Sequence, residues 1–295
     1  MTRGPDLSVV ATVTQRLAVL LGAGVAPSSA WSHVAESTNS PVARGVAAGD
    51  DLARAAAGTT GLEREAWRGL GAAWAVATEA GAPLAPALRA YAFSLRELGE
   101  TQRDARVALA APVATARMVM ALPAVGIFFG LALGFNTLAT LVGSPVGWGC
   151  LAVGGGLLLV AARWNRSLVH AAQPTSATPG LACELMAIAM AGGASLDRTR
   201  MLVERALAEH EITAEAREVE EVLALSRAAG VPASELLRAE AAELRAAARS
   251  SAQERAAALS VRLMLPLGLC VLPAFLALGV VPLLATVVTS TVDSF

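Results

Sequence analysis

Residues 118–162 read MVMALPAVGIFFGLALGFNTLATLVGSPVGWGCLAVGGGLLLVAA, a long stretch without Asp, Glu, Lys or Arg. A second uncharged stretch covers 263–292. An α-helix rises about 1.5 Å per residue, so the first stretch would be about 67 Å long, about twice the hydrocarbon core of a bilayer. It must therefore fold back on itself, and Gly143-Ser144-Pro145 supplies the turn residues. We expect a transmembrane hairpin with spans at about 118–142 and 146–162, and a third span within 262–290.

The composition indicates a membrane protein with large parts outside the membrane. Hydrophobic residues make up 55% of the 295 residues and charged residues 16%, and the mean hydropathy is +0.56. The net charge is −1 and every Lys or Arg position is Arg, so the chain carries no basic arm for nucleic acid. Cys150, Cys183 and Cys270 are far apart in sequence, so we expect neither disulfides nor a cysteine metal site.

The arginines near the membrane ends predict the topology. Nine arginines lie next to the hairpin or before the last span on one side, and the other side has none, so the positive-inside rule puts both large polar segments in the cytoplasm. We expect a cytoplasmic N-terminus and an extracytoplasmic tail at 291–295. A signal peptide at 7–13 is the less favoured alternative, because Gln15 and Arg16 interrupt that apolar run. Four of the arginines would anchor the spans at the membrane interface: Arg117, Arg163, Arg166 and Arg262.

The two polar segments contain an internal repeat. Gly81-Ala-Pro83 and Gly230-Val-Pro232 are each followed by two Leu-Arg pairs, and all of these positions match at one constant offset. Upstream, apolar helices break at Ala23-Gly24 and Ala191-Gly192, which match at a larger offset. The first copy would thus hold about 19 extra residues, which we place in loops around a weak helix at 37–61.

These patterns predict an all-α membrane protein with two cytoplasmic helical-bundle repeats and three transmembrane helices. A glycine after a helix suits a left-handed C-terminal residue, and a proline shortly afterwards suits the first turn of the next helix. The expected domains are 1–116 (first helical domain), 117–166 (transmembrane hairpin), 167–261 (second helical domain), 262–290 (third span) and 291–295 (tail). The residues expected to shape the bundles by bending the chain are Ala23, Gly24, Gly81, Pro83, Gly192, Gly230 and Pro232.

The residues that several classes of enzyme need are missing. A serine–histidine nucleophile stays open, but the sequence has no Gly-x-Ser-x-Gly elbow. Without Lys there can be no Walker A phosphate loop and no Schiff base. The spans lack the paired carboxylates of an intramembrane aspartic peptidase, and His33, His170 and His210 lack the spacing of metal ligands. We therefore expect no enzymatic activity, no cofactor and no metal site.

A membrane transporter or permease subunit is the alternative function. Transport usually leaves ionisable residues at membrane depth, whereas here we place only polar uncharged ones there: Asn136, Thr137, Thr140 and Thr286. Gly154-Gly155-Gly156 in the second span suggests close packing against another helix, which the sequence does not identify.

The order of these motifs resembles the type II secretion system F domain of platform proteins, and in particular the TadB and TadC proteins of tight-adherence (Flp) pili, as found in actinobacteria. Thr78-Glu-Ala-Gly-Ala-Pro-Leu-Ala85 with the uncharged hairpin resembles TadB. Ser226-Arg-Ala-Ala-Gly-Val-Pro232 and Leu265-Pro-Leu-Gly-Leu-Cys-Val-Leu-Pro-Ala-Phe275 resemble TadC. TadB and TadC are usually separate proteins with further spans near the N-terminus, so this chain looks like a fusion of both halves.

The resemblance implies a non-catalytic platform in the cell membrane, at the base of a type IV pilus or a secretion machine. The partners it implies are a hexameric secretion-type ATPase, pilin subunits, membrane lipid and further copies of the same chain. The possible ATPase contacts are exposed charges in the helical domains: Arg64, Arg68, Glu215 and Glu218.

Overall fold

The computed structural model describes residues 7–132, 145–171, 176, 178–213, 216–282 and 284. Throughout these residues the regular structure is helical, without any strand, so the predicted all-α class is confirmed. The first half contains α1 (Leu7–Gly22), α2 (Pro27–Ser37), α3 (Pro41–Ala47), α4 (Leu52–Ala55), a 3₁₀ turn (Ala56–Gly58), α5 (Gly61–Ala80) and α6 (Leu84–Ala132). The second half contains α7 (Pro145–Ala171), α8 (Leu181–Ala191), α9 (Leu196–Glu209), α10 (Ala216–Ala229) and α11 (Ala233–Arg262).

Short helical segments continue the chain after α11. They are α12 (Met264–Pro266), a π-helical turn (Leu267–Val271), α13 (Leu272–Phe275) and a second π-helical turn (Leu276–Val280). Pro266 and Pro273 lie in the α-helical segments that come directly before the π-helical turns. Because proline has no N–H to donate, the regular i→i−4 pattern is interrupted there, which is a common setting for wider turns.

The chain forms two compact units. The first comprises Met1–Gln102 and Pro174–Ser251, and the second comprises Arg103–Gln173 and Ala252–Phe295. Both α6 and α11 contribute residues to each unit. The first unit therefore combines helices from both halves of the sequence around one hydrophobic core.

The core of the first unit is built around α5 and α8. Every residue from Leu181 to Ala189 of α8 is buried, as expected for a short helix that is apolar on all sides except at Glu184. α5 packs against α1, α8 and α9, and it buries Trp67 and Leu70 completely. Packing between α5 and α8 therefore joins the two halves.

The second unit packs α7 against the helical segments after α11. Gly147, Gly154 and Ala161 of α7 are buried and seven residues apart, which is the period of a helix–helix seam. Leu278 lies directly over Gly154, because a Cβ on this glycine would be 2.4 Å from the Leu278 Cγ. Leu278 is thus the packing partner that the sequence did not identify for this glycine run.

Among the described residues, two helices are long and apolar enough to cross a membrane: Gly147–Val169, with 23 residues, and Ala233–Val280, with 48 residues. They overlap the predicted second span, 146–162, and the predicted third span, 262–290. The predicted first span, 118–142, runs beyond Ala132 into residues outside the described part of the chain. The hairpin turn at Gly143 and Ser144, and the tail at 291–295, also lie outside it.

Candidate functional site

Gly81 ends α5 in the left-handed conformation, with φ of +68°. The N–H of Ala82 donates to the carbonyl oxygen of Ala77 at 2.9 Å, and the N–H of Gly81 donates to that of Thr78 at 3.3 Å. These are the two bonds of a Schellman C-terminal motif. Pro83 then directly precedes α6.

Gly230 occupies the corresponding position after α10. Its φ is also +68°, and its N–H donates to the carbonyl oxygen of Ser226 at 2.9 Å. The Ser226 hydroxyl donates to the carbonyl oxygen of Val231 at 2.7 Å and holds the loop. Pro232 then directly precedes α11, as Pro83 precedes α6.

The bends after α1 and α8 differ in one detail from the expected positions. Gly24 follows Ala23 and has φ of +85°, but the left-handed residue after α8 is Gly193, with φ of +81°. Gly192 is right-handed, with φ of −77° and ψ of −1°. The second bend therefore lies one residue later than the sequence predicted, because α8 extends through Ala191 before the chain turns.

Gly192 instead provides a close contact between the two halves. A Cβ at this position would lie 2.1 Å from the carbonyl oxygen of Ala80 and 3.1 Å from the backbone N of Ala82. The end of α8 therefore rests directly on the backbone at the end of α5. Only glycine allows this approach, and no motif in the sequence signals it.

Ion pairs also join α5 to α9 and to the residues directly after α9. Arg68 of α5 forms an ion pair with Glu211, and Arg205 of α9 forms one with Glu79 of α5. These side chains are partly exposed, so each pair contributes little to stability. Their effect is to fix the register of α5 against α9 and the residues that follow it.

His210 packs its ring against α5 at Gly71. A Cβ on this glycine would lie 2.5 Å from the Cε1 of His210. Burial lowers the pKa of His210 below its ordinary value of 6.5, and Arg68 lowers it further, while Asp51 and Glu209 oppose the shift. The imidazole is therefore held in its neutral form in this contact.

Two of the predicted ATPase contacts make bonds within the chain. Arg64 donates from Nε to the carbonyl oxygen of Thr59 at 2.6 Å and from a terminal nitrogen to that of Ala57 at 3.1 Å, so it holds the 3₁₀ turn. Arg68 is paired with Glu211 as described. Glu218 of α10 is half-buried, and its Oε2 has no hydrogen-bond partner among the described residues. Glu215 lies outside the described residues, so contact of these four with an ATPase stays a prediction.

The segment before α8 is also bound to α5. Glu65 accepts hydrogen bonds from the hydroxyls of Ser176 at 2.6 Å and Thr178 at 3.0 Å. One residue further along α5, the carbonyl oxygen of Ala66 accepts a hydrogen bond from the Tyr91 hydroxyl at 2.7 Å. Burial and the Glu65 carboxylate raise the pKa of Tyr91 well above 10.0, so the phenol stays protonated and keeps this bond.

A buried ion pair joins α8 to α11. Arg245 and Glu184 are 3.5 Å apart, and their side chains are 12% and 8% exposed. Beside Glu184 lies a cavity of about 320 Å³, lined also by Ile188, Arg238 and the loop residues Ala82 and Pro83. Burial, together with Glu240, Glu218 and Glu184, raises the pKa of the neighbouring Cys183 thiol to about 12, so this cysteine is un-ionised.

The predicted membrane anchors Arg163, Arg166 and Arg262 are exposed. The fourth, Arg117, lies within α6, and its side chain is outside the described part of the molecule. In the portion that is described, His, Cys, Asp and Glu side chains form no cluster of three that could hold a metal ion.

Comparison with known protein families matches residues 13–132, which run from α1 to the end of α6, to the family described as type II secretion system (T2SS), protein F. Comparison with curated proteins and with solved structures found no match.

Proposed function

We propose that this chain is an integral membrane platform protein of a type II secretion-like or type IV pilus machine, which couples a cytoplasmic secretion ATPase to the insertion of pilin subunits into a filament. The observation that carries the proposal is the match of residues 13–132 to T2SS protein F. This domain is found in platform proteins of secretion and pilus assembly.

The second half is proposed to repeat the first. The ends of α5 and α10, at Ala80 and Ala229, are as far apart in sequence as the starts of α6 and α11, at Leu84 and Ala233. The ends of α1 and α8 likewise share one offset with the starts of α2 and α9, and this offset is larger. The difference is accounted for by α3, α4 and the 3₁₀ turn, which have no counterpart among the described residues of the second half. We therefore favour a fused platform of the tight-adherence type, with a TadB-like half followed by a TadC-like half.

The proposed role is mechanical rather than catalytic. α6 and α11 are long helices that each contribute to the first unit, which holds most of the charged residues, and to the apolar second unit. Movement imposed by an ATPase on the first unit would pass along these two helices to the spans. Working under a filament, the platform would act as a homo-oligomer, with no cofactor and no nucleic acid bound.

The proposed topology has three spans, with the N-terminus in the cytoplasm and the C-terminus outside. The exposed Arg163 and Arg166 near the end of α7, and Arg262 at the end of α11, lie on the proposed cytoplasmic side. Fusions of alkaline phosphatase and green fluorescent protein to each terminus test this. Phosphatase activity is expected only at the C-terminus and fluorescence only at the N-terminus, and the reverse pattern would contradict the topology.

Deletion of the gene tests the platform role in cells. The deletion strain should lose its surface filaments or its secreted substrate, and the wild-type gene should restore them. Ser250→Pro places a proline at an exposed position inside α11, where it breaks the helix at a cost of about 3 kcal/mol. This variant should insert into the membrane but restore no filaments, whereas Ser250→Ala should restore them fully. Filament output equal to wild type from the proline variant would contradict coupling along α11.

A further inference from the structure

A second cavity lies within the second unit, between the end of α7 and the last turns of α11. Its volume is about 230 Å³. Leu168 and Ala171 of α7 form one wall, and Ala258 and Leu259 of α11 form the other. The charged residues in the described part of the lining are Glu254, Arg255 and Arg262, all from α11.

We propose that this cavity binds the phosphate group of an anionic phospholipid. Among the described lining residues, two guanidinium groups outnumber one carboxylate, so this part of the lining carries a net positive charge. The planar fork of an arginine matches two phosphate oxygens at once, and an arginine is less strongly hydrated than a lysine. The apolar wall opposite suits the carbon atoms that adjoin the phosphate in a lipid.

The position of the cavity along both helices fits a headgroup. The candidate span Gly147–Val169 ends between Leu168 and Ala171, and the uncharged stretch 263–292 begins directly after Arg262. The charge-free run of α7 ends earlier, at Ala162, so the cavity lies at the start of one charge-free stretch and about two turns after the end of the other. If these helices cross the membrane, as the proposed function requires, the cavity lies where phosphates lie, and basic pockets between spans at this level bind acidic headgroups.

The surroundings also suit the rest of a lipid. A cavity of this size holds a phosphate but not the acyl chains, which need an apolar surface towards the membrane centre. Val261, Met264 and Leu265 are 66%, 70% and 55% exposed and lie beside Arg262 in sequence. The acyl chains would cover these side chains.

Arg163 and Arg166 provide a matched control. They lie within one and a half turns of Leu168 on α7 and are exposed, but neither lines the cavity. At about 100° per residue, Arg166 points about 160° away from Leu168 and Arg163 about 140° away. Substituting this pair removes the same charge from the same end of the helices without changing the cavity.

Native mass spectrometry of the full chain in detergent, titrated with phosphatidylglycerol or phosphatidylcholine, tests the proposal. Wild-type protein should retain phosphatidylglycerol preferentially. Arg255→Gln with Arg262→Gln should weaken this binding at least about tenfold, because each guanidinium would make a direct hydrogen bond to the charged phosphate, and one such bond changes the affinity about tenfold or more. Arg163→Gln with Arg166→Gln should change it by less than about twofold. Ala258→Leu, which fills the cavity and keeps every charge, should also weaken binding and covers the case in which the arginine variant fails to fold.

Three results would overturn the proposal. Equal retention of phosphatidylglycerol by the cavity variants and wild type would show that the cavity does not bind the lipid. An equal loss of binding in the Arg163 and Arg166 control variant would show only general attraction between positive charge and the lipid. Displacement of the lipid by millimolar inorganic phosphate would assign the cavity to a free anion instead. Recovery of the protein in the soluble fraction of the cells, and not in the membrane fraction, would contradict the proposed function. Failure of the proposed function and failure of the lipid site are therefore distinguishable.

Discussion

Gly192 and Ala80 bring the two halves of the chain into direct backbone contact. A Cβ on Gly192 would be 2.1 Å from the Ala80 carbonyl oxygen, which is too close for any side chain. Because the obstacle is backbone at the end of α5, it cannot move aside as a flexible side chain could. The close approach of the end of α8 to the end of α5 therefore depends on this glycine.

Gly192→Ala should consequently destabilise the protein by at least about 2 kcal/mol, because the new methyl group forces α8 away from α5. The measurement is the thermal unfolding midpoint in mild detergent. Gly58→Ala is the matched control, since a Cβ there meets nothing within 4 Å and its φ is not in the left-handed region. Equal midpoints for the Gly192 variant and wild type would show that the α5–α8 contact is not needed.

The sequence predicted the helix ends at Gly81 and Gly230 because glycine and proline act locally. Glycine acts through the positive φ that it can adopt, and proline acts through its missing backbone N–H. Both properties belong to the residue itself and are known without the fold. Gly192 could not be interpreted in this way, because its neighbour Ala80 is far away in the sequence. In a Gly-Gly pair either residue can take the left-handed position, so the sequence did not distinguish Gly192 from Gly193.

The bonds that charged residues form with distant parts of the chain could not be predicted from the sequence either. Arg64 was predicted as a possible ATPase contact because it is a charged residue of a helical domain and was expected to be exposed. Its bonds to the carbonyl oxygens of Ala57 and Thr59 depend on how the 3₁₀ turn folds back towards α5. The long uncharged stretches could be identified from the sequence because hydropathy is a property of each residue alone. The contact between Gly154 and Leu278 depends on three-dimensional packing and could not be predicted from the sequence.

The buried pair Glu184 and Arg245 should matter more than an exposed pair. Arg245→Met leaves the Glu184 carboxylate buried without its partner and should cost about 3 kcal/mol of stability. Arg249→Met removes a partner from Glu97 at 2.9 Å, but this pair is 37% and 21% exposed, so the cost should stay below about 1 kcal/mol. Unfolding midpoints compared side by side check this, and similar losses for both variants would contradict the assigned burial.

His210 should make stability fall as the pH is lowered. Its folded pKa lies below the ordinary 6.5, so the unfolded chain binds more protons in the window between the two values. The contribution is fully present above pH 6.5 and is lost as the pH drops below it. His210→Gln should flatten the decline in unfolding midpoint between pH 7.5 and 5.5. His33→Gln, at a side chain that is 61% exposed, is the control. An unchanged slope in the His210 variant would argue against the packing on Gly71.

The stability of the protein should depend on the combined size of the side chains at positions 154 and 278. Gly154→Val forces a side chain into Leu278 and should lower the unfolding midpoint in detergent, whereas Gly155→Val should not, because a Cβ on Gly155 meets nothing within 4 Å. Combining Gly154→Ala with Leu278→Ala should recover part of the loss that Gly154→Ala causes alone. Equal effects at positions 154 and 155 would contradict the packing of α7 against the final helical segments.

The platform role is tested most directly by the proteins that the chain contacts in its own cells. An affinity tag on the N-terminus, brief crosslinking and purification in mild detergent would be followed by mass spectrometry, with an unrelated membrane protein carrying the same tag as the control. The proposal predicts that a secretion-type ATPase and a small pilin are recovered, both absent from the control. Recovery of a transport ATPase or a soluble enzyme, with neither of these two partners, would contradict it.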